Sequence, residues 1–280
     1  MKAGDAAGPF RLVQLVGSGA MADVWQALDG RSGQQVALKL MRRAANHLQA
    51  QELEHRFQEE ARTAGLLRHP NIVCVLEAGR TPEGRPWMAL EWLTGKPLTV
   101  HCVAAQRLPD AVVAGLGQCL ASALAHAHQR GVIHRDIKPD NLMFDAASGQ
   151  LKITDFGVAR AEDSSATQTG MVLGTPAYMA PEQLAGAPAS AAGDLYSLGV
   201  VLFELLSCRR PVEASSLGEW LRRISQEPAT PLRNLRPDLH PALAQVVDQL
   251  LERDPGQRLA PAGQVAQALE RCSPLLGGQG

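Results

Sequence analysis

Near the start of the chain, apolar and polar positions alternate. Phe10 to Val16, Asp23 to Leu28 and Gln35 to Met41 each repeat every two residues, the period of a half-buried strand. Asn46 to Arg68 then takes up helical spacing, with Phe57, Ala61, Ala64 and Leu67 on one stripe. Ile72 to Glu77 and Trp87 to Leu90 read as two more strands, with the turn-rich Arg80 to Pro86 between them. The strand pattern ends in Glu91 to Pro97, which marks a boundary between two lobes. Beyond it, Pro109 to Arg130 is a predicted helix burying Val112, Leu116, Leu120, Ala123, Leu124 and Ala127, and Gly131 suits its end. Leu142–Phe144 and Leu151–Thr154 form a predicted hairpin. Asp194 to Leu206 is apolar on most sides and predicts a buried helix, interrupted by Glu204. Leu217–Ile224, Pro241–Leu251 and Pro261–Cys272 are predicted helices.

One octet fits neither period. His134-Arg135-Asp136-Ile137-Lys138-Pro139-Asp140-Asn141 gathers charges and an amide around a proline, which suits neither a helix interior nor a buried strand. A polar loop held between two apolar elements is a common seat of chemistry. Asp136 and Lys138 alternate, so both can face one point, and Asn141 ends the loop. A proton acceptor, a cation and a neutral oxygen ligand together suit phosphoryl transfer, where the protein positions reactants and stabilises charge. A solvated surface turn is the bland alternative.

Composition narrows the classes. The 280 residues are 45% apolar, ample for two lobes, and the formal net charge of −1 suggests no nucleic-acid partner. The five cysteines are scattered with no CxxC pair, which argues against zinc and redox motifs and for a reduced, cytoplasmic chain. Met1 to Pro9 lacks an apolar core, and Leu195–Leu206 is too short to span a bilayer, so no membrane segment is expected. Basic residues are mostly Arg, which sets apart the Lys at 39 and 138 as compact ammonium groups.

Three further sites follow from spacing. Gly17-Ser18-Gly19-Ala20-Met21-Ala22 tips the first hairpin, and its small side chains would let backbone N–H groups approach a phosphate; an ordinary glycine turn is the other reading. Ala37 and Lys39 share a strand face. Glu60 falls on the buried stripe of the first helix, whereas Glu59 falls on its polar face, so Glu60 is the carboxylate that needs a partner, and Lys39 is the natural one. Finally, antiparallel pairing of the second hairpin brings Asn141 beside Asp155, a plausible Mg²⁺ site.

Gly17-x-Gly19, Val36-Ala37-Leu38-Lys39, His134-Arg135-Asp136 with Asn141, Asp155-Phe156-Gly157 and Ala180-Pro181-Glu182 occur in that order. Together they resemble the eukaryotic-like protein kinases, and the wording looks most like bacterial Ser/Thr kinases. The resemblance implies an α+β, two-lobed fold: an N-lobe of antiparallel sheet plus one long helix (10–90), a hinge (91–94) and a mainly helical C-lobe (95–272), flanked by an extension (1–9) and a flexible tail (273–280). It implies that Val16, Gly17, Ser18, Gly19, Ala20, Met21, Ala22, Asp23 and Val24 cover ATP. Ala37, Leu90, Glu91, Leu93 and Leu142 would surround adenine, and Lys39, fixed by Glu60, would hold the phosphates. Asp136 would orient the substrate hydroxyl, Lys138 would stabilise the transferring group, and Asn141 and Asp155 would bind Mg²⁺, with Mn²⁺ as an alternative. Thr175 fits Ser/Thr specificity, Glu182 would pair with Arg258, and Asp194 would anchor the catalytic loop. The implied substrates are protein Ser/Thr hydroxyls, the chain's own Thr167 and Thr169 among them, with Arg135 receiving the resulting phosphate. A pseudokinase scaffold and a small-molecule phosphotransferase are the rival readings.

Overall fold

The computed structural model describes residues 1–19, 21–43, 47–156 and 176–276. The chain divides into two units, Met1–Thr94 and Gly95–Gly280. The first is an antiparallel sheet with one long helix and the second is mainly helical, the α+β division expected from the sequence.

In the first unit the strands are β1 (Ala6–Ala7), β2 (Phe10–Ser18), β3 (Ala22–Asp29), β4 (Gln35–Met41), β5 (Val75–Arg80) and β6 (Pro86–Glu91), with α1 (His47–Gly65) between β4 and β5. The sheet order is β1-β2-β3-β4-β6-β5. Alternation buries Phe10, Leu12, Trp25, Ala27, Val36, Leu38, Leu40, Trp87 and Ala89 on one face, with Phe10 and Trp87 edge to face at 5.0 Å. Ala22, Met41, Phe57 and Met88 form a second cluster, into which Leu53 and Ala61 bring the α1 stripe.

Two expectations shift here. Ile72 and Val73 are buried but precede the strand, so β5 starts at Val75 and runs on to Arg80. Ala6 and Ala7 pair with Arg11 and Phe10, and Ala7 is fully buried, so part of the segment read as an extension is woven into the sheet.

The second unit contains β7 (Lys96–Pro97), α2 (Asp110–His128), β8 (Leu142–Asp145), β9 (Gln150–Ile153), α3 (Pro181–Leu184), α4 (Ala191–Ser207), α5 (Leu217–Gln226), α6 (Leu232–Leu235), α7 (Pro241–Leu250) and α8 (Ala262–Leu276). Helix α4 is buried from Gly193 to Leu206. Ser190 caps its first turn by accepting from Gly193 N. At Gly199 a Cβ would lie 2.8 Å from Leu250 Cβ, so glycine lets α7 pack closely against α4. Helix α2 packs on α4 and α8 through Leu116, Leu120, Ala123, Leu124 and Ala127. Val112 does not join them: it is 37% exposed, and Val113 takes the core position because the stripe turns one residue further round. Helix α2 is also long and apolar enough to cross a membrane by length and composition, with half of that window buried in this unit. Helix α8 continues to Leu276, four residues into the segment expected to be a flexible tail; residues 277–280 lie outside the described residues.

Candidate active site

In the first unit, β4 and α1 bring one cation and one carboxylate together. Lys39 Nζ donates to Glu60 Oε1 at 2.6 Å, and the two side chains are 12% and 7% exposed. Glu59 instead takes Arg62 on the polar face at 3.0 Å. A buried pair of this kind fixes the ammonium in place, since either charge alone would be costly there. Lys39 stands opposite Val24 on β3 and Met88 on β6, and Ala37 opposite Gln26 and Leu90.

The tip between β2 and β3 is held by Gly19 N donating to Ala22 O at 2.9 Å and by Ser18 Oγ donating to Asp23 at 2.6 Å. A Cβ on Gly17 would meet nothing within 4 Å, and Gly17 has no left-handed φ. Neither packing nor backbone conformation within this unit demands glycine there, which fits a backbone kept bare for a ligand. Val16 is 54% exposed and Met21 is partly buried, whereas the Ala22 methyl enters the second apolar cluster. The Ala22 side chain is therefore turned into the core and not toward a ligand at the tip. Ala20 lies outside the described residues. Leu90 is partly buried against the same cluster. Glu91 N donates to Cys74 O at 3.0 Å and its carboxylate accepts from Cys74 N at 2.8 Å. Leu93 is half-buried.

In the second unit, Asp194 shapes the polar loop. Its Oδ2 accepts from His134 N at 2.9 Å and from His128 Nε2 at 2.8 Å, and its Oδ1 accepts from Arg135 N at 2.9 Å. These contacts hold Arg135 at φ 71°, a left-handed conformation costly for a side chain of this size. His134 is fully buried. Its Nε2 donates to Thr154 O at 3.0 Å, Nδ1 accepts from Asp136 N at 3.3 Å, and its ring lies 4.6 Å from that of Phe156. Burial pushes this imidazole below its ordinary value, against the pull of Asp194, and keeps it neutral.

Asp136, Lys138 and Asn141 converge within this loop. Lys138 Nζ donates to Asp136 Oδ2 at 2.7 Å. The Asn141 amide NH₂ donates to Asp136 O at 2.8 Å and to its Oδ2 at 3.1 Å. With its nitrogen spent, Asn141 has its side-chain oxygen left to ligate. Leu142 pairs with Ile153, and Thr154 N donates to Asn141 O at 2.9 Å, so Asn141 and Asp155 flank one end of the hairpin. Asp155 is exposed, in a left-handed turn at φ 52°. An amide oxygen and a carboxylate suit a hard divalent cation that fills its other positions with water and phosphate. Among the described residues no group of three or more His, Cys, Asp or Glu offers another metal site. Leu142 is fully buried.

Glu182 and Arg258 form a two-pronged pair, Nη1 to Oε1 at 2.8 Å and Nη2 to Oε2 at 3.0 Å. Gly157, Thr167, Thr169 and Thr175 lie outside the described residues. Just after that segment, Tyr178 OH donates to Glu204 Oε2 at 2.6 Å, and Ser197 Oγ donates to Tyr178 O at 2.7 Å. No local pattern singles out His128, Ser197 or Tyr178. Glu204 was legible only as a break in an apolar run, and a buried carboxylate in such a run is itself a signal that a donor must meet it.

The protein kinase domain description matches residues 10–270. The serine/threonine-protein kinase PknA of Mycobacterium tuberculosis is 38% identical over 267 residues, covering 94% of this chain and 61% of PknA. The serine/threonine-protein kinase PrkC of Bacillus subtilis is 33% identical over 252 residues, covering 90% of this chain and 38% of PrkC. The chain thus spans less than two thirds of the length of either relative.

Proposed function

Because this chain belongs to the protein kinase domain family, we propose that it transfers the γ-phosphoryl group of ATP to serine and threonine hydroxyls of proteins. The convergence of Lys138 and Asn141 on Asp136 carries the reading. Asp136 is the group to accept a hydrogen bond from the substrate hydroxyl and to take its proton as the bond to phosphorus forms. Lys138 places a positive charge beside it, where the transferring group gains negative charge. Lys39, fixed by Glu60, is the cation for the non-transferred phosphates, and the bare backbone around Gly17 their cover. The family uses a divalent metal; Asn141 and Asp155 would hold it, and Mg²⁺ is the ion their oxygen donors fit best. When bound, it neutralises charge on the phosphates.

The purified chain, given labelled ATP, Mg²⁺ and a generic protein substrate, should yield phosphoserine or phosphothreonine. No transfer would favour a scaffold, and transfer only to small-molecule hydroxyls or to tyrosine would also overturn the reading.

Self-phosphorylation at Thr167 and Thr169 is part of the same proposal. Arg135 Nε is buried with no acceptor among the described residues, which suits a receiver for a phosphate. Intact-mass and peptide spectrometry should find phosphate on these threonines. Full activity in a Thr167→Ala/Thr169→Ala protein would sink this part.

A further inference from the structure

The hairpin that carries Gly17 is gripped from a third strand. The β3–β4 ladder reaches Ala22 opposite Met41, and just past that rung Arg42 takes hold of the tip. Its backbone N donates to Met21 O at 2.8 Å, and its Nη1 donates to Gly19 O at 3.2 Å. One residue thus holds the chain on either side of position 20. Gly19 N is already engaged by Ala22 O at 2.9 Å, so both backbone polar groups of Gly19 are tied within this unit.

Asp23 aims the Arg42 side chain. Arg42 Nε lies 3.7 Å from Asp23 Oδ1, the oxygen that also accepts from Ser18 Oγ at 2.6 Å. Arg85 approaches the other oxygen, with Nη2 4.0 Å from Oδ2, while its Nε donates to Met41 O beside Arg42. Two guanidinium groups therefore flank one carboxylate on the hairpin expected to cover the phosphates. They offset a negative charge that would otherwise face a polyanion unmasked.

A glycine-rich tip that becomes ordered only when its ligand arrives charges that conformational entropy, about 1–2 kcal/mol per residue fixed, against binding. A tip held in shape beforehand avoids part of it. We infer that Arg42 is a positioning residue for ATP. It holds the glycine tip in place before the nucleotide arrives, and so sets KM for ATP rather than kcat. The inference rests on the protein-kinase reading, in which this hairpin covers the phosphates and Arg42 touches no reacting atom.

Arg42→Ala tests it, with Arg43→Ala as the control that removes an equal charge from the next, exposed residue. Steady-state kinetics gives KM for Mg²⁺-ATP and kcat, and calorimetry gives Kd for Mg²⁺-ATP and for adenosine, which has no phosphates. Because Arg42 is 51% exposed, its loss should raise KM and Kd for ATP about fivefold, the factor carried by one screened hydrogen bond. In Arg42→Ala, kcat and the adenosine Kd should stay within about twofold of wild type, and so should every value in Arg43→Ala. An adenosine loss equal to the ATP loss would mean that Arg42 supports the sheet as a whole and would overturn the inference. Equal ATP losses in the two variants would reduce it to general charge and overturn it too. A wild-type chain that binds and transfers from ATP, beside an Arg42→Ala protein with unchanged KM or with a loss in kcat alone, leaves the kinase reading standing and removes this inference. A wild-type chain that neither binds nor uses ATP removes both.

Discussion

Glu182 and Arg258 are 76 residues apart in the chain and meet as a bidentate ion pair whose guanidinium side chain is wholly buried. Arg258 also donates to Ala192 O and Glu252 O, and its guanidinium carbon lies 5.1 Å from the Tyr196 ring centroid. One side chain thus ties the start of α3, the start of α4 and the loop before α8 together. Removing it leaves a carboxylate and several carbonyls unpaired. Arg258→Ala should lose about 3–5 kcal/mol of stability, the usual cost of breaking a buried pair. Arg258→Lys should recover little of this, because an ammonium cannot reproduce the planar fork. Denaturant titration of the three proteins checks both.

The choice of Glu60 over Glu59 can be tested directly. Glu60→Gln frees Lys39 from its fixed position and should lower kcat/KM for ATP about 10²-fold, the order expected when a reacting group is misplaced. Glu59→Gln alters only an exposed pair with Arg62 and should change the rate less than about twofold. Steady-state kinetics on both proteins decides it; equal losses would remove Lys39–Glu60 from the proposed site.

Asp136→Asn keeps the size of the side chain and removes the proton acceptor. Its kcat should fall about 10²- to 10⁴-fold, with nucleotide affinity little changed. Single-turnover rates beside a fluorescence binding titration separate the two effects. A matched loss of affinity would mean that Asp136 serves the fold instead.

His134 predicts a pH dependence of stability. Its folded value is depressed below the ordinary 6.5. The unfolded chain therefore binds a proton that the native chain refuses once the pH drops below about 6.5. The native state is fully favoured above that value and loses up to about 1.4 kcal/mol per pH unit below it. Urea titrations of wild type and His134→Phe between about pH 7.5 and 5.5 should differ in slope by one proton. The variant is less stable throughout, since Thr154 O and Asp136 N lose their partner, but the slope reports the titration alone.

Much of this was legible in the residues, for identifiable reasons. Period-two alternation located β2, β3, β4 and β6 because each buries one face against a core. The α1 stripe singled out Glu60 because an isolated carboxylate among apolar neighbours must find a cation. Local pattern failed where a tertiary contact decides. Ile72 and Val73 look like strand residues, yet they are buried in the approach to it. Val112 looks as buried as Val113, and one residue of helical rotation separates them. The bonds from Asp194 to His128 and from Tyr178 to Glu204 join residues 66 and 26 positions apart, which no local period can pair. The segment 157–175 lies outside the described residues.

The short strand β1 has a consequence for handling the protein. The family match begins at residue 10, but Ala6 and Ala7 cover the start of β2 and bury a methyl group in the core. A chain trimmed to Phe10 would leave the backbone donors and acceptors at the start of β2 open to solvent, a template for a strand from another molecule. The first nine residues thus cover the start of the β2 edge. Trimming them should appear as sedimentation that depends on concentration before it appears as any change in catalysis.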